Sequence, residues 1–237
     1  MSGRLQPGTA PRRFAVGAVI IDLDGTLLDT VPDLAEAVNL AFRDLGRTAL
    51  QQQQIAQYVG KGVEVLMHRA LTGHLDGRVA EAQFRPAIDA FMMHYTQVNG
   101  RHSRVYPGVL EGLEAMSAMG LRLAVVTNKP LSFTEPLLQA TGLRKFFELV
   151  VGGDSLSRKK PDPLPMTHVS RQFGLPANQI LAIGDSLNDA LAARAAGMPV
   201  LAVPYGYNEG ADVNSLDVDA IVTTLSEAGT LIDPIRN

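Results

Sequence analysis

The stretch that decides the fold covers residues 14–29 and reads FAVGAVIIDLDGTLLD. The run from Phe14 to Leu23 is almost continuously apolar, which is typical of a strand buried on both faces of a parallel sheet. Asp22 interrupts this run near its end, where an unpaired carboxylate is costly to bury. Asp24 follows two residues later, so both side chains leave an extended strand on the same side. Although Asp24-Gly25 is also an ordinary turn sequence, the stretch predicts a buried strand that ends in a charged site.

Four further runs have the same β-branched and apolar character: Leu121–Thr127, Phe147–Gly152, Gln179–Gly184 and Pro199–Val203. Helical stretches lie before and between them, each followed by a glycine that can cap its end: Val109–Met119, Ser132–Thr141, Pro163–Phe173 and Leu187–Ala196. Strands that alternate with helices predict a parallel sheet with right-handed crossovers. The fold class is therefore α/β, with an open, Rossmann-like parallel sheet as its core.

A long interval between the first two predicted strands has a different character. Residues 30–103 contain no convincing strand, but they carry four helical patterns: Pro32–Leu45, Leu50–Val59, Gly62–Leu71 and Arg78–Tyr95. We therefore expect an α/β core made of residues 14–29 and 104–237, with an α-helical cap inserted over 30–103. The polar, glycine- and proline-containing start, residues 1–13, predicts a flexible tail.

The composition excludes several classes of protein. The chain has 237 residues, a formal net charge of −3 and no cysteine. Without cysteine there is no disulfide scaffold, cysteine zinc site, iron–sulfur cluster or thiol nucleophile. The slight acidity argues against a nucleic-acid partner, and no apolar run approaches the roughly 18 residues of a membrane helix. We expect a cytoplasmic protein without membrane or nucleic-acid partners, and the sequence leaves monomer and homodimer open.

Polar residues gather where the predicted strands end, which is where open α/β sheets bind ligands. Besides Asp22 and Asp24, these residues are Thr127, Asn128, Lys159, Lys160, Asp185 and Asp189. Each has an ordinary structural explanation, since Asp185 can cap a helix and a lysine pair is usually solvated. Spacing alone does not choose between Lys159 and Lys160. The candidate site thus holds more carboxylates than nearby lysines, which favours a hard cation such as Mg²⁺.

The segment from Asp22 to Thr30 resembles the first motif of the haloacid dehalogenase superfamily. The resemblance implies that Asp22 attacks phosphorus and becomes an aspartyl-phosphate. It also implies that Asp24 protonates the leaving alkoxide and then activates water. The dehalogenases of the superfamily lack the second Asp, because a halide leaving group needs no proton. The presence of Asp24 therefore indicates the phosphatase branch.

Further motifs of the superfamily follow in order along the chain. Residues 126–130 resemble the second motif, which implies that Thr127 holds a phosphoryl oxygen and that Asn128 adds polar contacts around the phosphate. The Lys-Pro pattern falls on Lys160, whose ammonium would neutralise charge on Asp22 and the transferring phosphoryl group.

The resemblance also assigns the metal. In the family pattern, Mg²⁺ binds the Asp22 carboxylate, the Asp24 backbone carbonyl and the Asp185 carboxylate. Asp189 is then either a supporting ligand or an acid that contacts the ligands without binding the metal itself.

The inserted segment narrows the resemblance to one group of phosphatases. Residues 58–71, 127–130, 152–156 and 205–208 are similar to segments of bacterial phosphoglycolate phosphatases. This implies a Mg²⁺-dependent hydrolysis of 2-phosphoglycolate, a small phosphorylated metabolite, to glycolate and phosphate. Lys61, between two glycines, is hypothesised to receive the substrate carboxylate, the other interpretation being a solvated lysine in a helix–helix turn. Three alternatives stay open: a phosphatase for a sugar phosphate or nucleotide, a sugar-phosphate mutase, and a non-catalytic module that binds phosphate or Mg²⁺.

Overall fold

The computed structural model describes residues 12–235. The strands are β1 (Phe14–Val16), β2 (Ala18–Ile21), β3 (Leu28–Asp29), β4 (Arg104–Val105), β5 (Arg122–Val126), β6 (Leu149–Val151), β7 (Ile180–Gly184), β8 (Val200–Ala202), β9 (Ala220–Ile221) and β10 (Ile232–Pro234). The α-helices are α1 (Val31–Asp44), α2 (Gln52–Ala56), α3 (Val63–Thr72), α4 (Glu81–Val98), α5 (Val109–Ala118), α6 (Leu131–Ala140), α7 (Leu164–Phe173), α8 (Leu187–Ala195) and α9 (Leu225–Thr230).

A six-stranded parallel sheet forms the centre of the molecule, with strand order β6-β5-β2-β7-β8-β9. Side chains of β2 alternate between two apolar layers: Val19 and Ile21 pack with α5 and α9, and Ala18 and Ile20 pack with α7 and α8. Because helices cover both faces, every residue of β2 is buried. The predicted α/β fold is confirmed. The position of β2 between β5 and β7 places Asp22 at the middle of the sheet edge.

The first predicted strand differs from the observed one. The apolar run is divided at Gly17, since β1 pairs with β10 in a separate two-stranded sheet and β2 alone enters the central sheet. Both parts are apolar, so hydropathy does not show the break. The strands β3, β4 and β9 were not predicted, because two residues are too few to show a period. The strand β10 was not predicted, because it contains one apolar β-branched residue followed by Asp233 and Pro234.

The segment between β3 and β4 is helical, as predicted, and contains α1 to α4. These helices share an apolar cluster that is separate from the two clusters of the sheet. The antiparallel pairing of β3 with β4 brings the two ends of the segment together. Phe133 of α6, outside the segment, belongs to the same cluster. The division into a core and a cap at residues 30 and 103 therefore stays a prediction.

The predicted tail, residues 1–13, lies outside the described residues except for its last two. Arg12 Nη1 donates a hydrogen bond to Asp219 Oδ1 at 2.5 Å, and Arg13 Nε donates to Asp233 Oδ1 at 2.8 Å. These two arginines are thus attached to the C-terminal part of the chain, and the tail over residues 1–13 stays a prediction.

Asp33, in the first turn of α1, holds the end of the inserted segment. Its fully buried carboxylate accepts hydrogen bonds from the backbone N–H groups of Gly100, His102 and Ser103 at 2.7–3.1 Å, and from Ser103 Oγ at 2.5 Å. Hydrogen bonds of this number stabilise a buried charge that would otherwise be costly. Asp33 therefore aligns α1 with the strand that returns to the core.

We predict that Asp33→Ala lowers the free energy of unfolding by about 3 kcal/mol, because several N–H groups lose their acceptor at once. Glu36→Ala is a matched control one turn later, since the exposed ion pair of Glu36 with His102 at 3.2 Å contributes less than about 1 kcal/mol. Urea unfolding of both variants measures the difference. Equal losses in the two variants would contradict this role of Asp33.

Candidate active site

A cleft lies between the carboxyl ends of β2 and β5 and the inserted helices. From the central sheet it is lined by Asp22, Asp24, Thr127, Asn128 and Lys129, and from the inserted segment by Leu34, Val59, Gly60, Gly62, Val63 and Leu66. Charged groups on one wall thus face a largely apolar wall.

Asp22 directly follows β2, and its backbone N–H donates to Ile183 O at 3.0 Å. Lys160 Nζ lies 2.7 Å from Asp22 Oδ1 in a buried ion pair. The hydrogen bonds of that ammonium, however, are directed to Val126 O at 2.7 Å and Asp189 Oδ1 at 2.6 Å, so Asp22 Oδ1 accepts none. Burial raises the pKa of Asp22 well above its usual value, against the opposing charge of Lys160. Asp22 therefore combines a buried carboxylate with an oxygen that lacks a donor.

Asp24 lies beside Asp22 in a different environment. Its Oδ1 accepts hydrogen bonds from Thr30 Oγ1 at 2.7 Å and from Lys129 Nζ at 3.0 Å. The ammonium also contacts Tyr95 Oη of α4 at 2.5 Å. Burial raises the pKa of the Tyr95 phenol to about 12, so this partner is neutral. Asp24 is thus oriented by a hydroxyl and an ammonium that both hold the same oxygen.

Asp185 follows β7 and lies close to the backbone of two loops. Its Oδ1 accepts from Thr26 Oγ1 at 3.0 Å, and its Oδ2 accepts from the Tyr207 N–H at 2.7 Å. Gly25 has φ +89°, and a Cβ there would lie 2.5 Å from Asp185 Oδ2, so only glycine permits this approach. Burial, with the charge of Asp189, raises the pKa of Asp185 to about 7.

Asp189 lies on α8, and both of its carboxylate oxygens accept hydrogen bonds from neighbouring groups. Its Oδ1 accepts from Lys160, and its Oδ2 accepts from the backbone N–H and the hydroxyl of Ser186, which forms a capping box. The charges of Asp189 and Asp22 outweigh burial and raise the pKa of Lys160. Of the two candidate lysines, Lys160 is the one at Asp22. Lys159 Nζ lies beside Gly62 instead, where a Cβ would approach it to 3.0 Å.

Thr127 and Asn128 follow β5, at the end next to Asp22. Thr127 Oγ1 accepts the Lys129 N–H at 3.2 Å, which leaves its hydroxyl proton available to a ligand in the cleft. Asn128 Nδ2 donates to Gly60 O and Lys160 O, both at 2.9 Å. Asn128 therefore joins the inserted segment to the central sheet. Both N–H groups of its side chain already have acceptors. The contact of Asn128 with phosphate stays a prediction.

The hypothesis for Lys61 does not fit the structure. Lys61 is not among the residues that line the cleft, and its Nζ lies 2.9 Å from Glu209 Oε1. Glu209 also accepts from Arg69, which is only 1% exposed, at 2.9 Å. Glu209 has φ +52°, a conformation that is uncommon for a residue with a side chain. The Lys61 ammonium is therefore directed away from the cleft to an ion pair between the inserted segment and the loop after β8.

Two residues at the site were missed by the sequence reasoning. Lys129 lies next to Asn128, and its position after a buried strand was the available signal. Tyr207 lies in a segment that resembles a known family, but no spacing connects it with the site. Its Oη donates to Asp29 Oδ1 and accepts from the Thr30 N–H, both at 2.8 Å, while its own N–H holds Asp185. Tyr207 thus links a candidate metal ligand to the entrance of the inserted segment.

Comparison with known proteins agrees with this geometry. Residues 19–203 match the family described as haloacid dehalogenase-like hydrolase. The chain belongs to this hydrolase family. It is 50% identical over 217 residues to a phosphoglycolate phosphatase of Thiobacillus denitrificans and 52% identical over 217 residues to one of Nitrosospira multiformis, and each match covers 92% of this hydrolase and 96% of the relative.

Solved structures of similar proteins have the same fold. A predicted phosphoglycolate phosphatase from Haemophilus somnus 129PT aligns with a TM-score of 0.86 at 35% identity, over 91% of this chain and 97% of that chain. CbbY from Rhodobacter sphaeroides, in complex with phosphate, aligns with a TM-score of 0.73 at 25% identity, over 90% and 98%. Within residues 12–235 of this hydrolase, no helix is long and apolar enough to cross a membrane.

We predict that Lys61→Ala leaves KM for a small phosphate ester unchanged and costs less than about 1 kcal/mol of stability, because the Lys61 side chain is 40% exposed. Glu209→Ala costs more, about 2 kcal/mol, because it leaves the buried Arg69 without its anionic partner. Steady-state kinetics and urea unfolding measure the two effects. An increased KM in Lys61→Ala, at unchanged stability, would restore the hypothesis that Lys61 contacts the substrate.

Proposed function

We propose that this hydrolase converts 2-phosphoglycolate to glycolate and phosphate through an aspartyl-phosphate on Asp22. The observation that carries the proposal is the pair of carboxylates in one cleft, of which Asp22 lies against Lys160 and Asp24 against Lys129 and Thr30. Such a difference in environment suits one carboxylate to nucleophilic attack and the other to proton transfer. The relatives named phosphoglycolate phosphatase support the choice of substrate.

The first half of the reaction transfers the phosphoryl group to the enzyme. A carboxylate oxygen of Asp22 attacks phosphorus, the bond between phosphorus and the ester oxygen breaks, and Asp24 gives its proton to the departing glycolate oxygen. Thr127 Oγ1 donates a hydrogen bond to a phosphoryl oxygen. Lys160 lies where it neutralises negative charge on Asp22 and on the transferring group.

The second half releases phosphate. Asp24, now a carboxylate, takes a proton from a water molecule that attacks the phosphorus of the aspartyl-phosphate. The bond between phosphorus and Asp22 breaks, which restores the carboxylate. Thr30 and Lys129 both hold Oδ1 of Asp24, which leaves its second oxygen for proton transfer in both steps.

We also propose a Mg²⁺ site at the same edge of the sheet. Asp22, Asp185 and Asp189 bring carboxylate oxygens within 4.8 Å of one another, and Asp22 Oδ1 is buried without a hydrogen-bond donor. These hard oxygens fit Mg²⁺, with Asp22, Asp185 and the Asp24 carbonyl as the ligands, while Asp189 stays with Lys160. When bound, Mg²⁺ would neutralise the carboxylates and the phosphate oxygens.

We infer that residues 30–103 act as a cap over the cleft. Leu34, Val59, Val63 and Leu66 form its apolar lining and would exclude water from the reacting phosphoryl group. That the protein works in the cytoplasm, as a monomer or a homodimer, stays a prediction from the sequence.

We predict that Asp22→Asn lowers kcat for 2-phosphoglycolate by more than about a thousandfold, because the nucleophile is lost. Asp24→Asn should still be phosphorylated by p-nitrophenyl phosphate, whose leaving group needs no acid, but should release phosphate slowly. Mass spectrometry of the quenched enzyme then detects one added phosphoryl group in Asp24→Asn and none in Asp22→Asn. Asp233→Asn is the control, since Asp233 is an exposed acid on β10, which pairs with β1 near the amino end of β2, whereas Asp22 follows its carboxyl end. Full activity of Asp22→Asn would refute the mechanism.

We predict that Mg²⁺ raises the unfolding free energy of the wild type by about 2.7 kcal/mol at a hundredfold excess over its Kd. Asp185→Asn should lose this gain, whereas Asp24→Asn should keep it, because Asp24 contributes only its backbone carbonyl. Thermal unfolding with Mg²⁺ and with EDTA compares the variants. An unchanged response of Asp185→Asn would place the ion elsewhere.

The substrate is tested separately from the chemistry. We predict that kcat/KM for 2-phosphoglycolate exceeds kcat/KM for sugar phosphates and nucleotides, and that no bisphosphate activator is needed. A low rank for 2-phosphoglycolate would refute this substrate while the phosphatase chemistry stands, and a requirement for a sugar bisphosphate would favour a mutase.

A further inference from the structure

Lys129 is a buried ammonium whose position the proposed mechanism leaves partly unexplained. It is 3% exposed, and its Nζ contacts Asp24 Oδ1 at 3.0 Å and Tyr95 Oη at 2.5 Å. The same atom lies 4.9 Å from the centre of the Tyr95 ring. An ammonium has three N–H groups, and these two contacts use two of them. The Asp24 carboxylate pairs with this buried charge, and the third N–H group is left for a ligand in the cleft that Lys129 lines.

Within the described residues, Lys129 is the cation that lines the cleft. Lys160 Nζ donates to Val126 O and Asp189 Oδ1 and forms an ion pair with Asp22 at 2.7 Å, so its charge is already engaged by these groups. Lys61 pairs with Glu209 outside the cleft. Lys159 is half-buried at the rim, beside Gly62. If a substrate in the cleft carries a second anionic group besides its phosphate, Lys129 is therefore the cation that can bind this group close to Asp24.

The connectivity of the proposed substrate matches this arrangement. In 2-phosphoglycolate the carboxylate is bonded to the same carbon as the ester oxygen. The ester oxygen must lie within hydrogen-bond reach of Asp24, which gives it a proton. Because Lys129 Nζ lies 3.0 Å from Asp24 Oδ1, a substrate in this position brings its carboxylate to the ammonium.

We infer that Lys129 receives the substrate carboxylate, and that the site thereby selects phosphate esters with an anionic group on the carbon that bears the ester oxygen. This rests on the proposed function and adds the residue that determines its specificity. Tyr95 holds the ammonium from the side of the inserted segment, so the same contact connects the cap to substrate recognition. Hydrogen bonds of this charge-assisted kind are strong enough to decide between substrates of equal size.

The test compares 2-phosphoglycolate with ethyl phosphate, in which a methyl group replaces the carboxylate. Wild type should prefer 2-phosphoglycolate, and Lys129→Met should lose about ten- to a hundredfold of that preference in kcat/KM, mainly through KM. Lys159→Met is the matched control, because it removes a cation at the rim and should keep the preference. Glycolate should inhibit wild type competitively and inhibit Lys129→Met much more weakly.

The outcomes separate the possible failures. If Lys129 only orients Asp24, Lys129→Met lowers kcat/KM for both esters by the same factor, the preference survives, and the inference is wrong. If wild type shows no preference, the proposed substrate and this inference are both wrong. Thermal unfolding establishes that the variants are folded. Should Lys129→Met not fold, Lys129→Gln makes the same comparison, since it is neutral and can still hydrogen-bond to Asp24 and Tyr95.

Discussion

The buried ion pair of Asp22 with Lys160 is the interaction on which the site depends. Asp22 directly follows the central strand β2 and is buried, so little water can solvate its charge. A buried carboxylate requires a partner, and Lys160 supplies it from the loop after β6, while Asp189 holds that ammonium from α8. Three segments far apart in sequence are thereby brought to one point. The carboxylate that we propose as the nucleophile is thus positioned by the same contacts that stabilise its buried charge.

The second constraint is the contact between the inserted segment and the central sheet. Asn128 bonds Gly60 O, Tyr95 contacts Lys129, and Tyr207 reaches the junction of β3 and α1. Each contact involves a residue close to Asp22, Asp24 or Asp185, so the position of the inserted helices and the geometry of the site are connected. This connection gives the cleft an apolar wall opposite its charged groups, which suits a phosphate ester in a site protected from water.

Much of the fold and of the candidate site could be predicted because local patterns carry them. The buried strands β2, β5 and β7 show as continuous apolar runs, and Asp22, Asp24 and Asp185 follow such runs directly. The remaining features of the fold and the site cannot be recognised from a local sequence pattern. The break at Gly17 lies within an apolar run, the two-residue strands are too short to show a period, and the direction of the Lys61 side chain depends on Glu209, far along the chain.

The sequence by itself determined the α/β class, the helical insertion, the family and the residues that can carry phosphoryl chemistry, because these follow from hydropathy, spacing and motif. Only the tertiary structure decided which groups meet. It placed Lys160 at Asp22, turned Lys61 toward Glu209 and put Lys129 between Asp24 and Tyr95. The physical reason is that a charge takes its partner from whatever the packing of distant segments brings within a few ångströms, and no local pattern records that distance.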